Sequence, residues 1–419
     1  MSQKSFIMLY ALIIVAITQA PAYACTAFMM SDGERVLVGN NEDYTNPYTH
    51  VWFVPAENER YGRVYFGYDN WSPQGGMNDQ GLFFDFFTTP GNKIKLSKNK
   101  PKFPGPMTDT MLAECASVEE VLDLFNKYNL EWMSKIQMFI VDKSGDAAII
   151  EGDKIIRKSG SLQVVTNFLL SKVAEDRRPC QWPAWGCSQY KKAHNMLTES
   201  KVASVVHFRD ILKATCRDNF IAKTLYSNIY DLKKGLVYLY YLHNFENEVI
   251  IDLNEELKKG RHYYELPSLF GRKQKFKITK FNHTTPSFSI SYPEHYKVAS
   301  QGLDEVLLVK HPNDSTPEMG VYVKNKPQDI PLQDLGPKYF SNLIEKYSTK
   351  AKMVYNIQTM LNDGTPGREM LFERVLNEHW PFKTLILATY KDDKLIFLAV
   401  TSFAHPEMFR EFLYTLQFD

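Results

Sequence analysis

Ala22-Tyr23-Ala24-Cys25-Thr26-Ala27-Phe28 is the stretch on which the reading of this chain turns. Upstream of it, Lys4 precedes an apolar run over residues 6–17, and Pro21 leads into the small-x-small pattern Ala22-Tyr23-Ala24. A charged start, an apolar centre and a small-residue box read as a signal peptide over residues 1–24. The apolar run is too short to span a bilayer comfortably. Cleavage after Ala24 would leave Cys25 first, with a thiol and a free α-amine on one Cα. The thiolate is the attacking form of cysteine. An α-amine with an ordinary pKa of about 7.7–8.0 is a base able to take the thiol proton and return it to a leaving amine. Two other readings stand beside this one. Cys25 could carry a lipid, although a lipobox wants an aliphatic residue three positions earlier and Ala22 with bulky Tyr23 fits poorly. It could also be an inert small core residue.

Working outward, the alternation after Cys25 reads as a β-hairpin, with strands over 26–30 and 35–39 around Asp32-Gly33. The return strand is expected to end in the polar cluster Asn40-Asn41-Glu42-Asp43-Tyr44. So short a turn sets this cluster beside the start of the first strand. Asp43 is then a candidate to hold the Cys25 ammonium or orient its thiol; the alternative is a loop cap. Strand-like patches follow at 64–68 and 82–87, with a turn at 75–81 between them. Asp85 lies inside the second patch, as a functional carboxylate or one satisfied by backbone donors. Ser117-Val118-Glu119-Glu120 is a capping box opening a helix over 118–128. A hairpin over 138–141 and 147–151 precedes a strand at 164–168, whose end carries Asn167. That amide could serve an oxyanion or be an ordinary turn residue. Helices are expected at 189–198 and 208–215, then strands at 224–229, 236–242 and 248–252. Helices between two sets of strands imply an α+β fold of face-to-face sheets with helices outside.

The 419 residues suffice for two domains. Hydrophobic content of 44% and charged content of 23% are those of a globular protein with a real core. A net charge of +1 gives no electrostatic case for nucleic-acid binding. No second apolar stretch is long enough for a membrane span, so a soluble periplasmic or secreted protein is expected. The 24 tyrosines and 27 phenylalanines suit wide sheets. Cys115, Cys180, Cys187 and Cys216 remain beyond Cys25, and four cysteines allow three pairings. Cys180 and Cys187 flank a turn-rich loop that could bring them together. No CxxC or His/Cys spacing reads as a zinc site. No cofactor is expected, and a metal-dependent hydrolase is the least supported class. Residues 271–285 read as a linker. Residues 286–419 read as a smaller α+β domain with an antiparallel sheet built from 288–293, 306–309, 321–323, 384–390 and 395–400. Helices are expected there over 339–347 and 407–416.

Four motifs in this order resemble the choloylglycine hydrolase and penicillin V acylase family of N-terminal nucleophile hydrolases. They are Cys25-Thr26-Ala27-Phe28 after a cleavage site, Gly39-Asn40-Asn41-Glu42-Asp43, Met77-Asn78-Asp79-Gln80-Gly81-Leu82, and Val165-Thr166-Asn167. Tyr226-Ser227-Asn228 through Tyr240 is similar to the family's late strand pair. Trp185-Gly186-Cys187 leans toward the branch related to acyl-coenzyme A:6-aminopenicillanic acid acyltransferase. The likeness covers residues 25–266 and implies a four-layer αββα sandwich over 25–270. It implies Cys25 as nucleophile on a linear amide, Asp43 as the group that positions it, and Asn167 as an oxyanion donor together with a backbone N–H near Thr88. Asn40, Asn41, Asn78, Asp85 and Gln189 are the further candidates for the oxyanion and substrate site. Where the family has arginines, this chain has Asn40 and Gln189, so neither bile salts nor penicillin V is assumed. Arg177 and Arg178 are the nearest replacements in sequence. The partner implied is a small N-acyl amide, with oligomerisation left open. Hydrolysis and acyl transfer share this chemistry, and a binding protein that kept only the scaffold is the non-enzyme alternative. The 286–419 segment resembles PsbP-like domains.

Overall fold

The computed structural model describes residues 25–103, 107–173, 186–218, 223–272, 277–311, 318–340, 351–376, 380–402 and 406–418. The chain divides into two compact units. The first comprises Met1–Phe66, Pro73–Pro101 and Met111–Arg272; the second comprises Gly67–Ser72, Lys102–Thr110 and Lys273–Asp419.

Two sheets form the centre of the first unit. Its opening hairpin pairs β1 (Thr26–Ser31) with β2 (Val36–Tyr44). Asp32 shapes the turn, its Oδ1 accepting from the backbone N–H groups of Glu34 and Arg35. The return strand ends in the polar cluster as expected, and the cluster is no loop cap. It is the second half of β2, because β11 pairs along its length from Tyr44 to Leu37. The chain continues through β3 (Thr49–Val54), β4 (Arg63–Tyr68), β5 (Pro73–Asn78) and β6 (Phe83–Thr88). Gly75-Gly76-Met77-Asn78, read as turn, thus lies in β5. Gly76 is required there, because a Cβ would sit 2.2 Å from the Val64 carbonyl oxygen.

Helices α1 (Met107–Glu114) and α2 (Val118–Asn126) follow. The capping box forms: Ser117 Oγ accepts from Glu120 N–H, and the Glu120 carboxylate reaches back to Ala116 N–H. Next come β7 (Ile136–Val141), β8 (Ala147–Ile150), β9 (Ile155–Arg157) and β10 (Leu162–Val165). After α3 (Cys187–Thr198) and α4 (Val205–Thr215) the unit closes with β11 (Lys223–Asp231), β12 (Leu236–Tyr241), β13 (Asn244–Asp252) and β14 (His262–Glu265).

Among the described residues one sheet runs β10-β1-β2-β11-β12-β13, and the other β14-β3-β4-β5-β6-β7-β8-β9. Aromatic rings join them face to face, with centroids 5.9 Å apart for Phe66 and Tyr226 and 4.8 Å for Phe83 and Tyr230. The outer face of the first sheet is covered by α3 and α4. Phe28, Met30, Leu37 and Ile229 pack there against Ala193, Leu197, Phe208 and Ile211. Gly39 makes room for this packing, since a Cβ would meet the Phe28 ring at 2.6 Å. On the second sheet, Asn78 Nδ2 donates to the Leu112 and Cys115 carbonyls at 2.8 Å each, tying down the end of α1. The result is the α+β sandwich with helices outside.

In the second unit the largest sheet, again among the described residues, is antiparallel. Its strands are β17 (Lys297–Ser300), β18 (Glu305–Lys310), β19 (Glu318–Asn325), β20 (Ala351–Met360), β21 (Pro366–Leu376), β22 (Trp380–Lys391) and β23 (Lys394–Ser402), in the order β17-β18-β19-β23-β22-β21-β20. Alternate residues make one buried face: Met370 and Phe372, Ile386 and Ala388, Leu395 and Phe397. A three-stranded sheet pairs β15 (Ile278–Thr284), β16 (Ser287–Pro293) and β24 (Gln417–Phe418). β15 lies where a linker was expected. Its seven-residue register with β16 pairs the backbone groups that a linker would leave to solvent. The expected helix at 339–347 falls mostly outside the described residues. The closing helix is shorter than expected, with a 3₁₀ turn at Pro406–Phe409 and an α-helical turn at Arg410–Leu413. No helix among the described residues is long and apolar enough to cross a membrane.

Candidate active site

Strand register assembles the centre. β1 runs antiparallel to β10 with Ala27 opposite Val165, and to β2 with Thr26 opposite Asn41. Continued by one or two positions, these registers set Cys25 across from Asn167 on one side and Glu42 on the other. Cys25 is 5% exposed, and its thiol points to the Asp43 carbonyl oxygen, 3.9 Å from Sγ. In the continuous chain, burial pushes the thiol well up from its ordinary pKa, and Glu42, Asp43 and Asp85 add to that.

Asp43 is fully buried and paired with Thr224 on β11. Thr224 Oγ1 donates to Asp43 Oδ1, and Arg217 Nε lies 3.5 Å from Oδ2. Arg217 is itself held on three sides. Its N–H donates to Thr224 Oγ1, its carbonyl accepts from Thr224 N–H at 2.9 Å, and its Nη2 donates to Gln189 Oε1 at 3.0 Å. Burial raises the Asp43 carboxyl from 3.8 to about 8, while Thr224 and Arg217 pull it down and Glu42 pushes it up. A carboxyl that keeps its proton in the fold but ionises near 3.8 when unfolded stabilises the fold at low pH. That contribution is lost as pH rises from 3.8 through about 8. Asp43→Asn keeps the Thr224 contact without the titration. Between pH 5 and pH 8 the urea midpoint of the uncleaved chain therefore falls less in Asp43→Asn than in the parent, and equal falls would refute this origin.

Asn167 is 1% exposed and stands just past β10. Its Nδ2 donates to the Thr88 carbonyl at 2.9 Å, which places both expected oxyanion positions side by side. Gln137 on β7 clamps the turn from the opposite sheet, its Nε2 donating to the carbonyls of Thr166 and Phe168. Gly186 presses on the same turn with φ +78°, and a Cβ there would lie 2.7 Å from Thr166 Cβ and 3.2 Å from the Asn167 nitrogen. Gly186→Ala is expected to cost about 1–3 kcal/mol in urea unfolding from the left-handed backbone and the clash. It should also slow turnover by moving Asn167; unchanged stability and rate together would refute the contact. Cys187, which opens α3 beside this turn, is in a disulfide, whereas Cys25, Cys115 and Cys216 are free. Cys180, its expected partner, lies outside the described residues.

The remaining sequence candidates separate by what they touch. Asn41 holds helix α4: its Nδ2 donates to Leu212 O and Thr215 Oγ1 at 3.0 Å each, and its Oδ1 accepts from Ser227. Asn78 is spent on α1 and on the Gln80 and Leu82 N–H groups. Asn78 is therefore scaffold, with no hydrogen-bonding capacity left for substrate, and both amide hydrogens of Asn41 are likewise spent on helix α4. Asp85 is fully buried, accepts from Phe86 N–H at 2.9 Å, and has its carboxyl pushed well up, chiefly by burial and then by Glu42. Asn40 is 2% exposed on β2, opposite Asn228. Gln189 serves Arg217. Arg177 and Arg178 lie outside the described residues; the guanidinium at Asp43 comes from Arg217. The sequence reading missed Arg217, Thr224 and Gln137, and only the Arg217-Asp218 step before a strand hinted at the first.

The family model described as acyl-coenzyme A:6-aminopenicillanic acid acyl-transferase matches residues 29–246. No curated protein matches the chain. Among solved structures, penicillin V acylase from Agrobacterium tumefaciens is 15% identical with a TM-score of 0.46, covering 58% of this chain and 92% of its own. A variant of conjugated bile acid hydrolase from Clostridium perfringens is 16% identical with a TM-score of 0.44, over 57% of this chain and 96% of its own. The solution structure of CyanoP, the cyanobacterial PsbP of Synechocystis sp. PCC 6803, is 13% identical with a TM-score of 0.29, over 35% of this chain and 95% of its own. The family match spans half of the chain, from within β1 to within β13, and includes Asp43, Asn167, Arg217 and Thr224; the chain belongs to the acyl-coenzyme A:6-aminopenicillanic acid acyl-transferase family.

Proposed function

We propose that this protein is a secreted or periplasmic acyl-transfer enzyme that cleaves the linear amide of an N-acylated small molecule through a thioester on Cys25. The observation that carries the reading is the convergence of Cys25, the Asp43 carboxyl braced by Thr224 and Arg217, and the clamped Asn167 amide at the end of one sheet. A buried thiol among carboxylates is a poor nucleophile, because it keeps its proton. Removal of residues 1–24 would put an α-amine on the Cys25 Cα, where it takes that proton as sulfur adds to the amide carbon. Asn167 and a backbone N–H near Thr88 receive the charge that forms on oxygen. Collapse breaks the C–N bond, the ammonium returns its proton to the departing amine, and the acyl group stays on sulfur. Water then releases a carboxylic acid, or a second amine takes the acyl group, and in either case the thiol is regenerated. The Asp43 carboxyl, braced by Thr224 and Arg217, anchors the new terminus.

The test is N-terminal sequencing of the exported protein, then assay on a panel of N-acyl amides with and without an acceptor amine. Cys25 as first residue, with release of acid or of exchanged amide, supports the reading. Retained upstream residues or a lipidated Cys25, with no turnover of any amide, would overturn it.

A further inference from the structure

In the second unit, Asp69, His295 and His311 bring one carboxylate and two imidazoles together, with one donor atom from each within 4.8 Å of the others. Asp69 belongs to the segment Gly67–Ser72, His295 to the turn between β16 and β17, and His311 follows β18. The two imidazoles approach different oxygens of the same carboxylate. His295 Nε2 is 2.5 Å from Oδ2, and His311 Nε2 is 3.4 Å from Oδ1. The Asp69 and His311 side chains are 7% and 1% exposed, while His295 at 20% leaves an entry path. Tyr296 packs edge-on against both imidazoles, at centroid distances of 5.0 Å and 5.5 Å, and fixes their planes.

We propose that Asp69, His295 and His311 form a binding site for a divalent transition-metal ion of the zinc type. Two imidazole nitrogens and a carboxylate oxygen are a donor set suited to Zn²⁺, with bonds of roughly 2.0–2.2 Å and a fourth position left for water. Tetrahedral donors at those bond lengths stand about 3.3–3.5 Å apart. The His311–Asp69 separation of 3.4 Å already meets this spacing. The 2.5 Å His295–Asp69 contact is the hydrogen-bonded arrangement, and binding replaces its proton by the ion and widens the pair. A divalent charge at this point also offsets the cost of burying the Asp69 carboxylate. The site shares no residue with the Cys25 centre, so its fate is independent of the acyl-transfer reading.

The experiment is a Co²⁺ titration of the untagged, chelator-treated full chain, followed by visible absorption. One equivalent should bind with ligand-field bands and no sulfur-to-cobalt charge-transfer band, which separates the site from the free Cys25, Cys115 and Cys216 thiols. Zn²⁺ should bleach the spectrum and raise the thermal midpoint as its concentration increases. His295→Asn, at the least buried ligand, should lower Co²⁺ affinity by more than the roughly 10- to 100-fold typical of losing a group that only hydrogen-bonds a ligand. No ligand-field spectrum in the folded wild type, a sulfur-to-cobalt band, or unchanged affinity in a folded His295→Asn would each overturn the site.

Discussion

Cys25→Ala should abolish turnover of any N-acyl amide substrate, lowering kcat by about 10⁴- to 10⁶-fold, as loss of a covalent nucleophile does elsewhere. Removing the sulfur removes the acyl carrier, and nothing else described beside Asn167 can form a thioester. The companion variant keeps the sulfur and removes the base. A chain made uncleavable at the Ala22-Tyr23-Ala24 box retains Cys25 with its amine locked in a peptide bond. In that form burial, Glu42, Asp43 and Asp85 all hold the thiol protonated, so alkylation by iodoacetamide should be slow and turnover absent. Release of residues 1–24 should restore both. Full activity in Cys25→Ala, or rapid alkylation and turnover in the uncleaved chain, would sink the assignment of nucleophile and base respectively.

Asn167→Ala should lower kcat by about 100- to 1000-fold with little change in KM, because an oxyanion donor acts on charge that forms only during reaction. Gln137→Leu should reproduce part of this loss without touching substrate. It removes the donor that holds the carbonyls on either side of Asn167, so the amide keeps its chemistry but loses its aim. The KM-against-kcat split makes the comparison decisive: a purely structural Asn167 would lower stability and the amount of active enzyme, leaving kcat per active site unchanged. Counting active sites by acyl-enzyme burst separates the two cases.

How much of this was legible beforehand follows from the range of each interaction. The opening hairpin was readable because period-two alternation and an Asp-Gly turn act over a dozen residues. The start of α2 was readable because a Ser and a Glu three positions apart satisfy the free N–H groups of a helix's first turn. Asn41 and Asn78 show the limit of motif reading. Both were assigned to the substrate site by position in a pattern, yet each amide spends its hydrogen bonds on a helix end packed behind the sheet. The linker reading failed at β15 for a similar reason: strand identity there comes from its partner β16, and its own basic, Thr-rich composition says little.

Local alternation and short motifs marked the opening hairpin, the start of α2 and several later strands, and put Cys25, Asp43 and Asn167 at or just past strand ends. It took the folded chain to bring Arg217 against Asp43, Gln137 against the turn that carries Asn167, and Asp69 against His295 from 226 positions away. Those meetings are set by strand order, register and packing, and no spacing along the chain encodes them.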